Sequence, residues 1–100
     1  MRIVAVTACP TGIAHTYMAA EQLEKTGRKL GHSVRVETQG AMGIENEFTP
    51  ADILGAQVLI IASEVSIQGR DRFLGIPQVV EVPVQLAIKN PAEIFSRLRT

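Results

Sequence analysis

The 100-residue chain contains one cysteine, Cys9, so no disulfide can form within it. A lone thiol fits a reducing compartment, and the expected location is the cytosol. Tryptophan is absent and aromatics are only 4% of residues, with no basic residues interleaved among them. That removes the stacking platform and charge that single-stranded nucleic acid requires. Net charge is missing too, because ten Lys and Arg balance ten Asp and Glu. No overall field therefore favours nucleic acid or an anionic membrane. No apolar run approaches the roughly 18 residues of a membrane span. Met1-Arg2-Ile3-Val4 enters a strand pattern too soon for a signal peptide. Cys9, His15 and His32 make no recognisable metal-ligand set, and no cofactor is called for.

What is present is an apolar share of 46%, enough for one modest core, so residues 1–100 are expected to form a single domain. A start at methionine and an end soon after the last helical pattern favour a separate unit. Ile3 to Thr7 is a nearly unbroken apolar run, as in a strand buried on both faces. A helical pattern follows from His15 to Leu30, with Ala20, Leu23, Gly27 and Leu30 spaced to face a sheet and Gly31 closing it. Gly27 on that face would permit a close helix–sheet approach. Ser33 to Thr38 alternates apolar and polar residues, which suggests an edge strand with one exposed face. Gln39 to Gly43 reads as a loop. Thr49, Pro50 and Asp52 are N-cap, first and third residues of a short helix ending near Gly55. Val58 to Ala62 is a second central strand. Arg70 and Arg72 fit a solvated turn better than a reach to a partner or phosphate, Gln78 to Val82 is a fourth strand ended by Pro83, and Asn90 with Glu93 suggests a capping box on a final helix. The alternation predicts an α/β fold: an open, four-stranded parallel sheet, Rossmann-like, with helices on both faces and a phosphate loop after strand 1.

The chemistry concentrates where the first strand gives way to the first helix, at Thr7-Ala8-Cys9-Pro10-Thr11-Gly12-Ile13-Ala14-His15-Thr16. Small residues let the backbone curl, so N–H groups converge on an anion at a helix N-terminus. The same dipoles favour the thiolate of Cys9. Pro10 supplies no N–H, so the donors come from Thr11, Gly12, Ile13, Ala14, His15 and Thr16, with the Thr11 and Thr16 hydroxyls as additions. Thiol-dependent tyrosine phosphatases place Arg and Ser/Thr after Cys and five residues; here His15-Thr16 stands there. The bidentate guanidinium that grips phosphate through hydrolysis is missing. The arrangement suits receiving a phosphoryl group and passing it on. Three readings stay open on these residues alone: a phosphoryl carrier, a small phosphatase, and a regulatory or interaction domain whose cysteine is merely packed.

Ala8-Cys9-Pro10-Thr11-Gly12-Ile13-Ala14-His15-Thr16-Tyr17-Met18-Ala19-Ala20-Glu21 closely resembles the fructose-type enzyme IIB components of the bacterial phosphoenolpyruvate-dependent sugar phosphotransferase system. Val36 to Gly40, the Asn46 to Thr49 approach and Arg72-Phe73 share the likeness, which covers essentially the whole chain. The resemblance implies a phosphocysteine at Cys9, charged by a phosphohistidine on a IIA unit. It implies discharge to fructose or a related sugar held by a membrane IIC permease, at the inner face of the cell membrane. His15 would lower the thiol pKa or assist the phosphate. Two places depart from the family pattern, Ser63-Glu64-Val65 and Gly75-Ile76-Pro77, and both bear on the partner surface and the sugar.

Overall fold

The computed structural model describes residues 1–9 and 13–99, with the side chain of Ile13 set aside. Strand β1, Arg2–Ala8, is buried at every position after Arg2, as its unbroken apolar run requires. Helix α1, Ile13–Lys29, begins two residues earlier than its apolar pattern suggested. It ends where Gly31 adopts φ 88° and the His32 and Gly31 amides donate to the Gly27 and Arg28 carbonyls. This paired closure satisfies the last carbonyls of the helix. Ala19 and Leu23 are fully buried on its inner face, whereas Leu30, expected there, is 52% exposed because it follows the last helical residue.

Strand β2, Ser33–Gly40, runs parallel to β1. It continues through residues expected to be loop, and Ala41-Met42 turn it into a short antiparallel strand, β3, Gly43–Glu45. The sheet therefore has five strands, one more than expected, in the order β3-β2-β1-β4-β5. Its four parallel strands match the expected architecture; the addition is a hairpin, which needs only a tight turn to form. Between β3 and strand β4, Val58–Ser63, lies α2, Pro50–Leu54, with the anticipated start. The Thr49 hydroxyl accepts from the Asp52 amide at 3.3 Å, and the Asp52 carboxylate accepts from the Thr49 amide at 2.9 Å. A single 3-10 turn, Arg70–Phe73, precedes strand β5, Gln78–Val82.

Pro83 does end β5, but it also opens a helix that its strand-breaking role concealed: α3, Val84–Lys89, which buries Val84 and Ala87. The final helix, α4, Pro91–Ser96, lacks the expected capping box, since Asn90 (φ −148°, ψ 65°) makes no side-chain cap bond. Ile94 and Phe95 provide its buried face.

Two apolar layers sandwich the sheet. Ile3, Ala5, Val36, Val58, Ile60 and Val82 pack against α1, α3 and α4. Val4, Val6, Ala8, Leu59 and Ile61 pack on the other face against Phe48, Ile67, Phe73 and Ile76. The chain moves from β1 to one side for β2 and to the other for β4, so the strand order reverses beside β1. Ligands in open α/β sheets bind at the carboxyl ends of strands where such a reversal occurs. Cys9 is the residue that follows β1 at this place.

Candidate functional site

Parallel pairing sets Ala8 level with Gln39 of β2 and with Ser63 of β4. Cys9 thus lies one step past the sheet rim, with four residues between the end of β1 and the first residue of α1. It is 5% exposed. Of the anticipated anion-binding residues, Thr11 and Gly12 lie outside the described residues. Ile13 is the first residue of α1, and Ala14 and His15 follow in its first turn, both exposed. A helix leaves its first N–H groups without an intrahelical carbonyl, and those of α1 belong to Ile13, Ala14 and His15. Thr16 is different: it is 1% exposed and inside the helix, so it is not the N-cap. Its carbonyl accepts from the Thr7 hydroxyl at 3.1 Å, tying the first turn of α1 to β1.

The structure adds Thr38, which sequence reasoning passed over. Thr7 and Thr38 are register partners on β1 and β2, and both are buried with Thr16 (0%, 3% and 1% exposed). The readable signal was a polar residue continuing the inward series Val34, Val36, Thr38 on β2. Thr38, Thr16, Tyr17, Gly40 and Glu45 line a tight seam between α1 and the β2–β3 hairpin. The Tyr17 hydroxyl donates to the Glu45 carboxylate across its outer end.

On the opposite face, Glu37 is fully buried although its alternating context predicted exposure. Arg72 meets it with a bidentate pair of hydrogen bonds, each 2.9 Å, while Gln39 donates to it at 2.9 Å and the Phe48 amide at 3.1 Å. Burial pushes the Glu37 carboxyl upward, but the Arg72 hydrogen bonds, then Gln39 and the Phe48 amide, and the nearby guanidinium charge together hold it below the ordinary carboxylate value. The Glu37 hydrogen bond raises Arg72 in turn. Arg72 is therefore a structural clamp and not a solvated-turn residue. Gly69, at φ 68°, bends the chain so that its carbonyl accepts from Arg72 Nε at 2.8 Å. Gln39, level with Ala8, also exchanges hydrogen bonds with the Gln68 backbone, joining two rim loops. Arg70 pairs instead with Glu81 at 3.0 Å on the surface.

The two departures from the family pattern have structural accounts. Glu64 accepts from the Val84 amide at 3.2 Å, so it secures the start of α3. Ile76 is 6% exposed within the second apolar layer, which makes it a core residue and not part of a partner surface. His32 stacks on Phe95 at 5.8 Å at the far end of α1, and its Nδ1 lies 3.2 Å from the N-terminal amine.

Residues 4–97 match the family described as "PTS system, Lactose/Cellobiose specific IIB subunit". The chain belongs to this family of sugar phosphotransferase IIB proteins. Within it the fructose type is favoured. The chain is 44% identical over 97 residues to the "PTS system fructose-like EIIB component 2" of Escherichia coli (strain K12), covering 97% of this chain and 91% of that protein. It is 52% identical over 98 residues to the "PTS system 2-O-alpha-mannosyl-D-glycerate-specific EIIABC component" of the same strain, covering 98% of this chain but only 15% of that longer protein. A domain of the fructose-specific IIABC component of Borrelia burgdorferi superposes with a TM-score of 0.87 at 48% identity, covering 94% of this chain and 88% of that one. No helix among the described residues is long and apolar enough to cross a membrane.

Proposed function

We propose that this IIB chain is a phosphoryl carrier and that Cys9 is the group that carries. The carrying observation is positional: the only thiol of the chain follows β1 at the reversal of strand order, with three residues between it and the first residue of α1. The Cys9 thiolate attacks the phosphorus of a phosphohistidine on a IIA unit; an S–P bond forms, the N–P bond breaks, and its electron pair returns to the imidazole. A sugar hydroxyl oxygen then attacks the same phosphorus. The O–P bond forms, the S–P bond breaks, the hydroxyl proton leaves to solvent, and the thiolate is regenerated. The protein's contribution is position and charge stabilisation in line with donor and acceptor.

The phosphoryl oxygens would be received by the backbone of Thr11, Gly12, Ile13, Ala14 and His15, with the His15 side chain, exposed on the first turn, beside them. IIA and a membrane IIC permease are the partners, as the names of the fused relatives suggest, and the sugar is fructose or fructose-like. The reaction class is phosphohistidine-to-sugar phosphotransfer, at the cytoplasmic side of the membrane.

Incubation with phosphoenolpyruvate, the general carrier proteins and a fructose-type IIA, followed by intact mass and peptide mapping, tests this. One phosphate on Cys9, discharged by membranes containing IIC and sugar, is expected. Cys9→Ser should abolish transfer while keeping the fold. Failure of Cys9 to charge from several IIA donors overturns the carrier role, and steady release of free phosphate identifies a phosphatase.

A further inference from the structure

We infer that Thr38 is a phosphoryl-binding residue: its hydroxyl donates to an oxygen of the group carried on Cys9, from the β2 side of the cradle. The inference rests on the carrier reading above and extends it to a strand outside the loop.

Thr38 is 3% exposed, and its Oγ1 is the buried side-chain polar atom among the described residues that has no hydrogen-bond partner. A hydroxyl left in that condition costs stability, and native proteins rarely keep one without a use. The neighbours show that satisfaction was within reach. Thr7, its register partner on β1, spends its hydroxyl on the Thr16 carbonyl. Valine would fill the place of Thr38 with the same shape and no unmet donor.

Direction supports the assignment. Side chains alternate along a strand, so Thr7 leaves β1 on the face of Ile3 and Ala5, the one covered by α1, and Cys9 follows two residues later, just past the end of β1. Thr38 is on that face too, as the next position in the series after Val36, which packs in the α1-side layer. It is level with Thr7, one strand over and two residues short of the level of Cys9. The seam that Thr38 lines also includes Thr16 of the first turn of α1 and Gly40 at the end of β2. A dianionic phosphoryl group beside the α1 N-terminus would bring acceptor oxygens to this idle donor, giving a charge-assisted hydrogen bond. The resting protein holds the donor in reserve, and charging satisfies it.

The test compares the whole chain with Thr38→Val and Thr38→Ser, each charged from phosphoenolpyruvate through a fructose-type IIA. Two quantities are read: the thermal midpoint of the uncharged and charged forms, and the equilibrium level of phosphocysteine reached against the IIA donor. Thr38→Val should leave the uncharged midpoint unchanged or raise it, because an unmet donor disappears. Charging should then raise its midpoint less than it does in the wild type, and the equilibrium level of phosphocysteine should fall about tenfold. Thr38→Ser should restore both. A purely structural Thr38 would shift the charged and uncharged midpoints together, and that result overturns the inference. Equal charging of Thr38→Val and wild type overturns it too, while the carrier role stands. A wild type that never charges removes the carrier role and this inference with it.

Discussion

The two faces of the sheet are built by different means. On one, α1, α3 and α4 cover an apolar layer that includes Ile3, Ala5, Leu23, Ile60 and Ile94, all at most 2% exposed. On the other, the cover is a five-residue helix, a 3-10 turn and loops, and α2 itself contains no buried residue. What fixes that thin cover is polar: Arg72 on Glu37, Gln39 on Gln68, and Asp52 on Thr49. Packing of helices holds the first face; on the second, directional bonds add to the apolar layer of Phe48, Ile67, Phe73 and Ile76. The comparison teaches where rigidity is needed, since Cys9, the start of α1 and Thr38 all belong to the packed face.

The largest break in that comparison is Arg72→Ala. Removing the guanidinium leaves a fully buried carboxylate with two neutral donors, and loss of one partner of a buried pair costs about 3–5 kcal/mol. The pH dependence identifies the cause. In the wild type the folded carboxyl lies below its ordinary value of 4.5. Its stabilisation is fully present above that value and is lost as pH falls through the lower folded one. In Arg72→Ala burial is opposed more weakly, the folded value moves up, and the deficit should widen from acid to neutral pH. Urea unfolding of both proteins at about pH 4 and pH 7 measures this. A deficit that is the same at both pH values would mean that Arg72 contributes by packing on Phe73, 4.7 Å away, and that the polar account of this face is wrong.

On the packed face the corresponding change is Gly27→Ala. Alanine should help a helix by about 1 kcal/mol. Here the added methyl would overlap Val34 Cγ2 and press within 3.1 Å of Phe95 Cζ. Overpacking of this kind costs about 1–3 kcal/mol, so a net loss of about 1 kcal/mol is expected by urea unfolding. A gain instead would show that α1 sits less tightly on β2 and α4 than its contacts indicate.

The same contrast explains what the sequence made legible. The packed face writes itself as apolar periodicity: Ile3 to Thr7, Val58 to Ala62, and the Leu23–Gly27 face of α1 are visible as patterns. The other face depends on partners far apart in the chain. Glu37 lies in an alternating strand where exposure was the natural reading, and only folding brings Arg72, 35 residues later, onto it. Thr38 was hidden for a related reason, because a threonine in a strand is unremarkable until its neighbours are known to leave it unpaired. The missed α3 shows that Pro83 carries two meanings, strand end and helix start, that local sequence does not separate. The hairpin strand β3, three residues long, is too short to have a period.

The smallest expected effect is the most local. With no buried residue in α2, its start must be held by the reciprocal bonds between Thr49 and Asp52. Thr49→Ala removes the side-chain acceptor and should cost about 1 kcal/mol. The loss should also be confined: amide exchange should speed up at Ile53 to Gly55 while that of Leu23 and Ile60 follows global stability alone. Acid should act on the same helix. The hydrogen bond from the Thr49 amide, above all, holds the Asp52 carboxyl below its ordinary 3.8, so the cap persists above that value and fades as pH falls through the folded one. Thr49→Asp, which keeps a capping oxygen, should restore protection at neutral pH. If Thr49→Ala left exchange in α2 unchanged, the helix would be held by Ile53 against the core. Packing would then govern both faces, and the distinction between them would collapse to one of thickness.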